Sequence, residues 1–76
     1  MSIVSKTKLK ILKVLSKEPL HGYALSKKLG ITISSVYAHL SELEVEGFIV
    51  HKIEENRKVY KLTEKGKKFL LLLDET

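Results

Sequence analysis

The apolar residues of this chain change period at residue 48 and change back after residue 62, and that switch constrains the fold more than any other feature. Upstream of it, Leu9, Leu12 and Leu15 recur at three-residue steps, widened by Ile11 and Val14 and interleaved with Lys8, Lys10, Lys13 and Lys17. Such a stripe predicts an amphipathic helix over residues 5–17. Pro19 stops it, because proline cannot continue the hydrogen-bond ladder and disfavours helix at Glu18. A second, short helix fits residues 22–29, with Leu25 and Leu29 inward and Gly30 as a left-handed cap. Thr32 offers an N-cap hydroxyl for a third helix that runs to about Glu46 and is closed by Gly47; its inward stripe is Val36, Leu40 and Leu43. Two helices joined by a tight turn containing glycine have the spacing of a helix-turn-helix.

Between 48 and 62 the pattern alternates. Residues 48–53 and 58–62 read as two strands around the polar tip Glu54-Glu55-Asn56-Arg57. A two-residue loop at Glu55-Asn56 pairs Ile49 with Leu62, His51 with Tyr60 and Ile53 with Lys58 on a mostly apolar face. The other face pairs Val50 with Lys61, Lys52 with Val59 and Glu54 with Arg57. Asn56 tolerates the positive φ such a turn requires. Thr63 then caps a last helix over residues 64–73. Its run Phe69-Leu70-Leu71-Leu72-Leu73 cannot share one face, and at 100° per residue Phe69, Leu72 and Leu73 cluster while Leu70 and Leu71 point elsewhere. The expectation is an α+β, mainly helical winged helix-turn-helix, with residues 1–76 forming a single domain.

Composition narrows the function classes. With no Cys among 76 residues there is no disulfide framework, thiolate metal site or Cys nucleophile. His21, His39 and His51 are too scattered for a zinc site, and no cofactor motif is present. No apolar stretch reaches the roughly 18 residues that cross a membrane, and Met1–Lys6 lack the apolar block of a secretory leader. An intracellular protein is expected, cytoplasmic and associated with the nucleoid. Lysine and glutamate richness, with no Gln and one Asn, leans toward a heat-loving source.

Charge is uneven along the chain. Residues 1–30 hold seven lysines against Glu18, a net of +6; residues 31–47 hold only Glu42, Glu44 and Glu46, a net of −3; the remainder nets +2. The total of +5 suits a polyanionic partner. In a winged helix the third helix enters the major groove of double-stranded DNA, and the hairpin, or wing, lies on the backbone or minor groove. The outward arc of that helix holds Ser34, Ser35, Ala38, Ser41 and Glu42, flanked by Tyr37 and His39, and the candidate base readers are Ser34, Ser35, Ala38, His39 and Ser41. Its carboxylates would be repelled by phosphates, so the N-terminal half should enter the groove. Candidates for backbone contact are Tyr23, Lys27, Lys28, Tyr37, Lys52, Arg57 and Lys58. His21 reads as structural, in the turn before the second helix, and His51 as a satisfied histidine beside Tyr60.

Several blocks resemble the PadR family of winged-helix transcriptional regulators. They are Ile11-Leu12-Lys13-Val14-Leu15, Pro19-Leu20-His21-Gly22-Tyr23, Val36-Tyr37 with Leu40 and Leu43, Glu46-Gly47-Phe48-Ile49 and Tyr60-Lys61-Leu62-Thr63-Glu64-Lys65-Gly66. The Pro-Leu-His-Gly-Tyr block is the most specific, and the resemblance spans roughly residues 9–70. It implies promoter binding, often repression, with Tyr37 and the wing residues Arg57 and Lys58 on the backbone and the surface around Ser34, Ser35 and Ala38 reading bases. Two departures stand out. Thr32-Ile33-Ser34-Ser35 occupies the place where family members often have Ser-Pro-Gly-Thr, and the chain stops at Thr76 without the C-terminal helices that supply dimer contacts and, in some relatives, an effector pocket. No small-molecule effector is implied; homodimer and monomer both stay open, with Leu70 and Leu71 either the candidate dimer contacts or a cover for the first helix near Ile11 and Val14.

Three other readings compete. Ser35 and His39 stand at i, i+4, but nothing orients the histidine and no oxyanion donors are evident, so no enzyme is expected. A non-specific architectural DNA-binding protein or a winged-helix protein-interaction module would fit the same architecture, the latter favoured by the acidic third helix and opposed by Tyr23, Tyr37 and the basic wing.

Overall fold

A computed structural model describes residues 5–74; residues 1–4, where the reading of no leader partly rests, and 75–76 lie outside the described residues. Helix α1 (Lys6–Leu15) leads into a short strand β1 (Leu20–His21). Helices α2 (Gly22–Leu29) and α3 (Ile33–Val45) follow, then strands β2 (Ile49–Glu54) and β3 (Arg57–Leu62) and helix α4 (Glu64–Asp74). Ser5 caps α1 by accepting from the Lys8 amide at 3.2 Å. At the other end the Ser16 hydroxyl donates to the Lys13 carbonyl at 2.6 Å, and the helix ends short of residue 17.

The stripes meet as their spacing dictates. Ile11, Leu12 and Leu15 of α1 pack with Leu25 of α2, with Val36, Leu40 and Leu43 of α3, and with Phe48, Ile49, Tyr60 and Leu62 under the sheet. Each aliphatic side chain withdrawn from water in this way contributes about 1.5–3 kcal/mol. The hairpin has the expected register throughout, from Ile49 opposite Leu62 to Glu54 opposite Arg57. Its turn is carried by Glu55 at φ 50° and Asn56 at φ 65°, the left-handed pair that matches the twist of the strands.

Two expectations are corrected. The wing belongs to a three-stranded antiparallel sheet of order β1-β3-β2, in which Leu20 pairs with Tyr60 and His21 with Val59. A two-residue strand after a proline carries no period to read. The second correction concerns α4. Gly66 lies so close to β2's entry that a Cβ there would stand 2.2 Å from the Phe48 carbonyl oxygen. That contact turns the stripe Gly66, Phe69, Leu70 toward the core at i, i+3, i+4. Phe69 stacks at 5.0 Å on Phe48 and Leu70 packs beside it, whereas Leu72 is exposed with Leu71. Leu70, expected either at a dimer seam or over α1 near Ile11 and Val14, is partly buried against the core that includes Ile11; Leu71 is open. Ile53, at the wing tip, lies beyond the helices and is exposed as well.

Candidate nucleic-acid interface

The turn between α2 and α3 is held at each corner by a short polar side chain. His21 Nδ1 accepts from the Ala24 amide at 3.0 Å and caps α2. Gly30 ends that helix at φ 68°, in the left-handed region, and the Ser26 hydroxyl donates to the Ile31 carbonyl at 2.6 Å. Thr32 Oγ1 accepts from the Ser35 amide at 3.2 Å and caps α3. With Val36 and Leu40 buried, Ser34, Ser35, Ala38 and Ser41 lie exposed along the first turns of α3, and Tyr37 shares their face. His39 does not join that open face. It is half-buried, with Nδ1 3.8 Å from Glu42 Oε1 and without a hydrogen-bond partner.

The acidic run of α3 is drawn away from the exposed turns. Lys8 of α1 reaches Glu42 at 3.0 Å and Glu46 at 3.9 Å. Hydrogen bonding and charge from Lys8, with a smaller pull from His39, hold the Glu42 carboxyl below the usual carboxylate range. Glu44 accepts from His51 Nδ1 at 2.6 Å, across the junction with β2. His51 also lies 5.4 Å from the Tyr60 ring, the satisfied position expected of it. The leading turns of α3 thus present hydroxyls, a methyl group and a phenol, while the carboxylates are engaged by α1 and the wing.

Beside those turns lies an open cleft of about 570 Å³ lined by His21, Tyr23, Tyr37, Asn56, Arg57 and Lys58. None of its walls carries a carboxylate. Four of the expected backbone-contact residues, Tyr23, Tyr37, Arg57 and Lys58, converge here from α2, α3 and β3. Tyr37 is placed by Gly22: a Cβ at residue 22 would sit 2.5 Å from Tyr37 Cζ and 2.7 Å from its hydroxyl, so only glycine lets the ring lie across the start of α2. Lys27 extends over the Tyr23 ring, 5.4 Å from its centre, and Lys28 is exposed nearby on α2. Lys52 does not line this cleft and is paired with Glu54 at 2.9 Å. His21 and Asn56 were missed as members of the site. Their local roles, cap and turn, are all that sequence spacing reveals; the pairing of β1 with β3 is what carries His21 to the wing.

Among the described residues no group of three or more His, Asp or Glu could hold a metal ion, and no helix is long and apolar enough to cross a membrane.

A helix-turn-helix followed by a basic two-stranded wing, with α1 behind and α4 closing the sheet, defines a winged helix-turn-helix protein. The family model for the transcriptional regulator PadR-like family matches residues 11–71, and the chain belongs to that family. The family is one of regulators, not enzymes, which removes the Ser35–His39 hydrolase reading. In structure the chain is similar to the transcriptional regulator BldR from Sulfolobus solfataricus, at 27% identity and TM-score 0.88 over 95% of this chain and 54% of that one. HlyU from Vibrio cholerae is similar at 26% identity and TM-score 0.84, over 95% and 79% of the two chains. The transcriptional regulator Tm0710 from Thermotoga maritima shares the fold at 22% identity and TM-score 0.90, over 95% and 54%. The chain spans about half the length of BldR and of Tm0710. No curated protein matches it in sequence.

Proposed function

We propose that this protein is a sequence-specific transcriptional regulator that binds double-stranded DNA through the leading turns of α3 in the major groove. Ser34, Ser35, Ala38 and Ser41 meet base edges; Tyr23, Tyr37, Arg57 and Lys58 hold the adjoining backbone, with Lys27 and Lys28 adding charge from α2. The observation that carries this reading is the continuity of two surfaces: an exposed helix face free of charge, and a donor-lined cleft free of carboxylates, joined at Tyr37. Short side chains let the helix approach the bases, and the basic wall supplies the charge that most of the affinity requires. The acidic half of α3, tied to Lys8 and His51, faces out of the groove.

A competition titration tests it. Duplex from the region upstream of the protein's own gene should be displaced at least tenfold less readily by an unrelated duplex of the same length than by itself. Equal displacement would reduce the protein to a non-specific binder. Absence of salt-dependent affinity for any duplex would reject DNA as the partner.

A further inference from the structure

His21 makes two contacts that its chemistry does not allow at once. Its Nδ1 accepts from the Ala24 amide at 3.0 Å, which requires Nδ1 to be unprotonated. The neutral imidazole then carries its proton on Nε2. Arg57 Nη1 stands 3.0 Å from that same Nε2, and a guanidinium has donors only. Two N–H groups therefore face each other with no acceptor between them. The other tautomer moves the conflict to the Ala24 amide, and the imidazolium creates it at both ends. Because the cap is partly buried and the Arg57 side chain is exposed, the unmatched donors are the outward pair.

Arg57 is also without an ion pair among the described residues. Glu54 lies directly across the hairpin from it, yet its carboxylate is taken by Lys52 at 2.9 Å. The pair opens into the cleft where Tyr23, Tyr37, Asn56 and Lys58 supply further donors. What fits between two such donors is an anionic oxygen.

We propose that His21 and Arg57 together hold one backbone phosphate of the bound DNA, His21 through its neutral Nε2–H and Arg57 through its charge. His21 is then a DNA contact as well as the cap of α2, and the shared phosphate locks the wing against the helix-turn-helix. This assignment rests on the DNA-binding reading above.

Substitution separates the two roles of the residue. His21→Asn keeps an N-cap, since asparagine is among the preferred caps, but is too short to reach Arg57. With a mixed-sequence duplex at low salt, His21→Asn should fold with an unchanged melting temperature and bind about tenfold more weakly, the worth of one hydrogen bond to a charged group. The slope of log K against log[salt] should stay as in the wild type, because a neutral imidazole releases no counterion; Arg57→Ala should make it shallower by about one. In the Arg57→Ala background, His21→Asn should cost little more. Wild-type affinity in a folded His21→Asn protein, or a full additive loss in the double variant, would overturn the assignment. Nitrogen-15 spectra of the wild-type imidazole give a second test that needs no variant: Nε2 protonated and Nδ1 bare in the free protein, with the Nε2 resonance moving on addition of the duplex. Protonation at Nδ1, or an unmoved Nε2, would also overturn it. A wild-type protein that binds no duplex at all brings down the DNA-binding reading and this assignment with it, whereas retained binding by His21→Asn brings down the assignment alone.

Discussion

Gly22→Ala isolates the placement of Tyr37 from the stability of the fold. The added Cβ would lie 2.5 Å from Tyr37 Cζ, 2.7 Å from its hydroxyl and 2.9 Å from Cε2. That is about 1 Å inside ordinary contact near ~3.5 Å, so the ring must move by roughly that amount. It can: the crowded atoms are the far end of the side chain, and Tyr37 is 40% exposed. Partial loss of packing for a half-exposed ring costs about 1 kcal/mol. Replacing glycine by alanine within a helix returns up to ~1 kcal/mol. Stability should therefore stay within about 1 kcal/mol of the wild type, a change of no more than roughly 8 °C in Tm. On the proposed backbone contact, displacing the Tyr37 hydroxyl should weaken duplex binding by about tenfold. Fluorescence anisotropy with a labelled duplex reads the affinity, and thermal melts read the fold. Tyr37→Phe should give a similar loss alone and nearly none in the Gly22→Ala background. Undiminished affinity in Gly22→Ala, or an additive loss in the double variant, would show that Gly22 does not set the placement of Tyr37 on the duplex.

The same substitution at the other close approach should behave differently. Gly66→Ala drives a Cβ against the Phe48 carbonyl, backbone that cannot step aside, and should cost about 3 kcal/mol, a fall in Tm of roughly 10–20 °C; a fall no larger than that of Gly22→Ala would contradict it. In α4, Leu70→Glu should lower Tm sharply, while Leu71→Glu with Leu72→Glu should leave it within a few degrees; the reverse order would restore the stripe expected from sequence. Burial, and after it the Glu44 carboxylate and Tyr37, raise the pKa of the Tyr60 hydroxyl above its ordinary value. The folded state then holds that proton more tightly than the unfolded chain, so the stability it contributes is whole below about pH 10 and falls as pH rises through the folded value. Tyr60→Phe should flatten the alkaline limb of a plot of Tm against pH, and an unchanged limb would count against the assignment.

What the sequence reveals and what it hides divide along a physical line. The caps at Gly30, Thr32 and Thr63, the end of α1 before Pro19 and the register of the wing all follow from neighbours in the chain; Thr63 Oγ1 indeed accepts from the Gly66 amide at 3.1 Å. Local chemistry is legible. The inward face of α4 is not, because five successive apolar residues carry no period and a contact between Gly66 and Phe48 chooses the face. Nor does local spacing show that Glu42 belongs to Lys8, or that His21 meets Arg57, since each pair joins distant segments. The candidate site follows the same division. Tyr37, Ser34, Ser35, Ala38 and Ser41 lie on one helical face that the period of α3 already defines, whereas the cleft that gathers Tyr23, Tyr37, Arg57 and Lys58 exists only once β1 joins the wing.

On the proposed function, the leading turns of α3 and the adjoining cleft form one continuous surface for DNA. Amide chemical-shift mapping of the nitrogen-15-labelled protein, titrated with duplex from upstream of its own gene, tests that surface residue by residue. The predicted result is a contiguous set of changes at Ser34, Ser35, Ala38, Tyr23, Tyr37, Arg57 and Lys58, with α4 unmoved. Changes centred on Leu71 and Leu72 while the leading turns of α3 stay silent would contradict it.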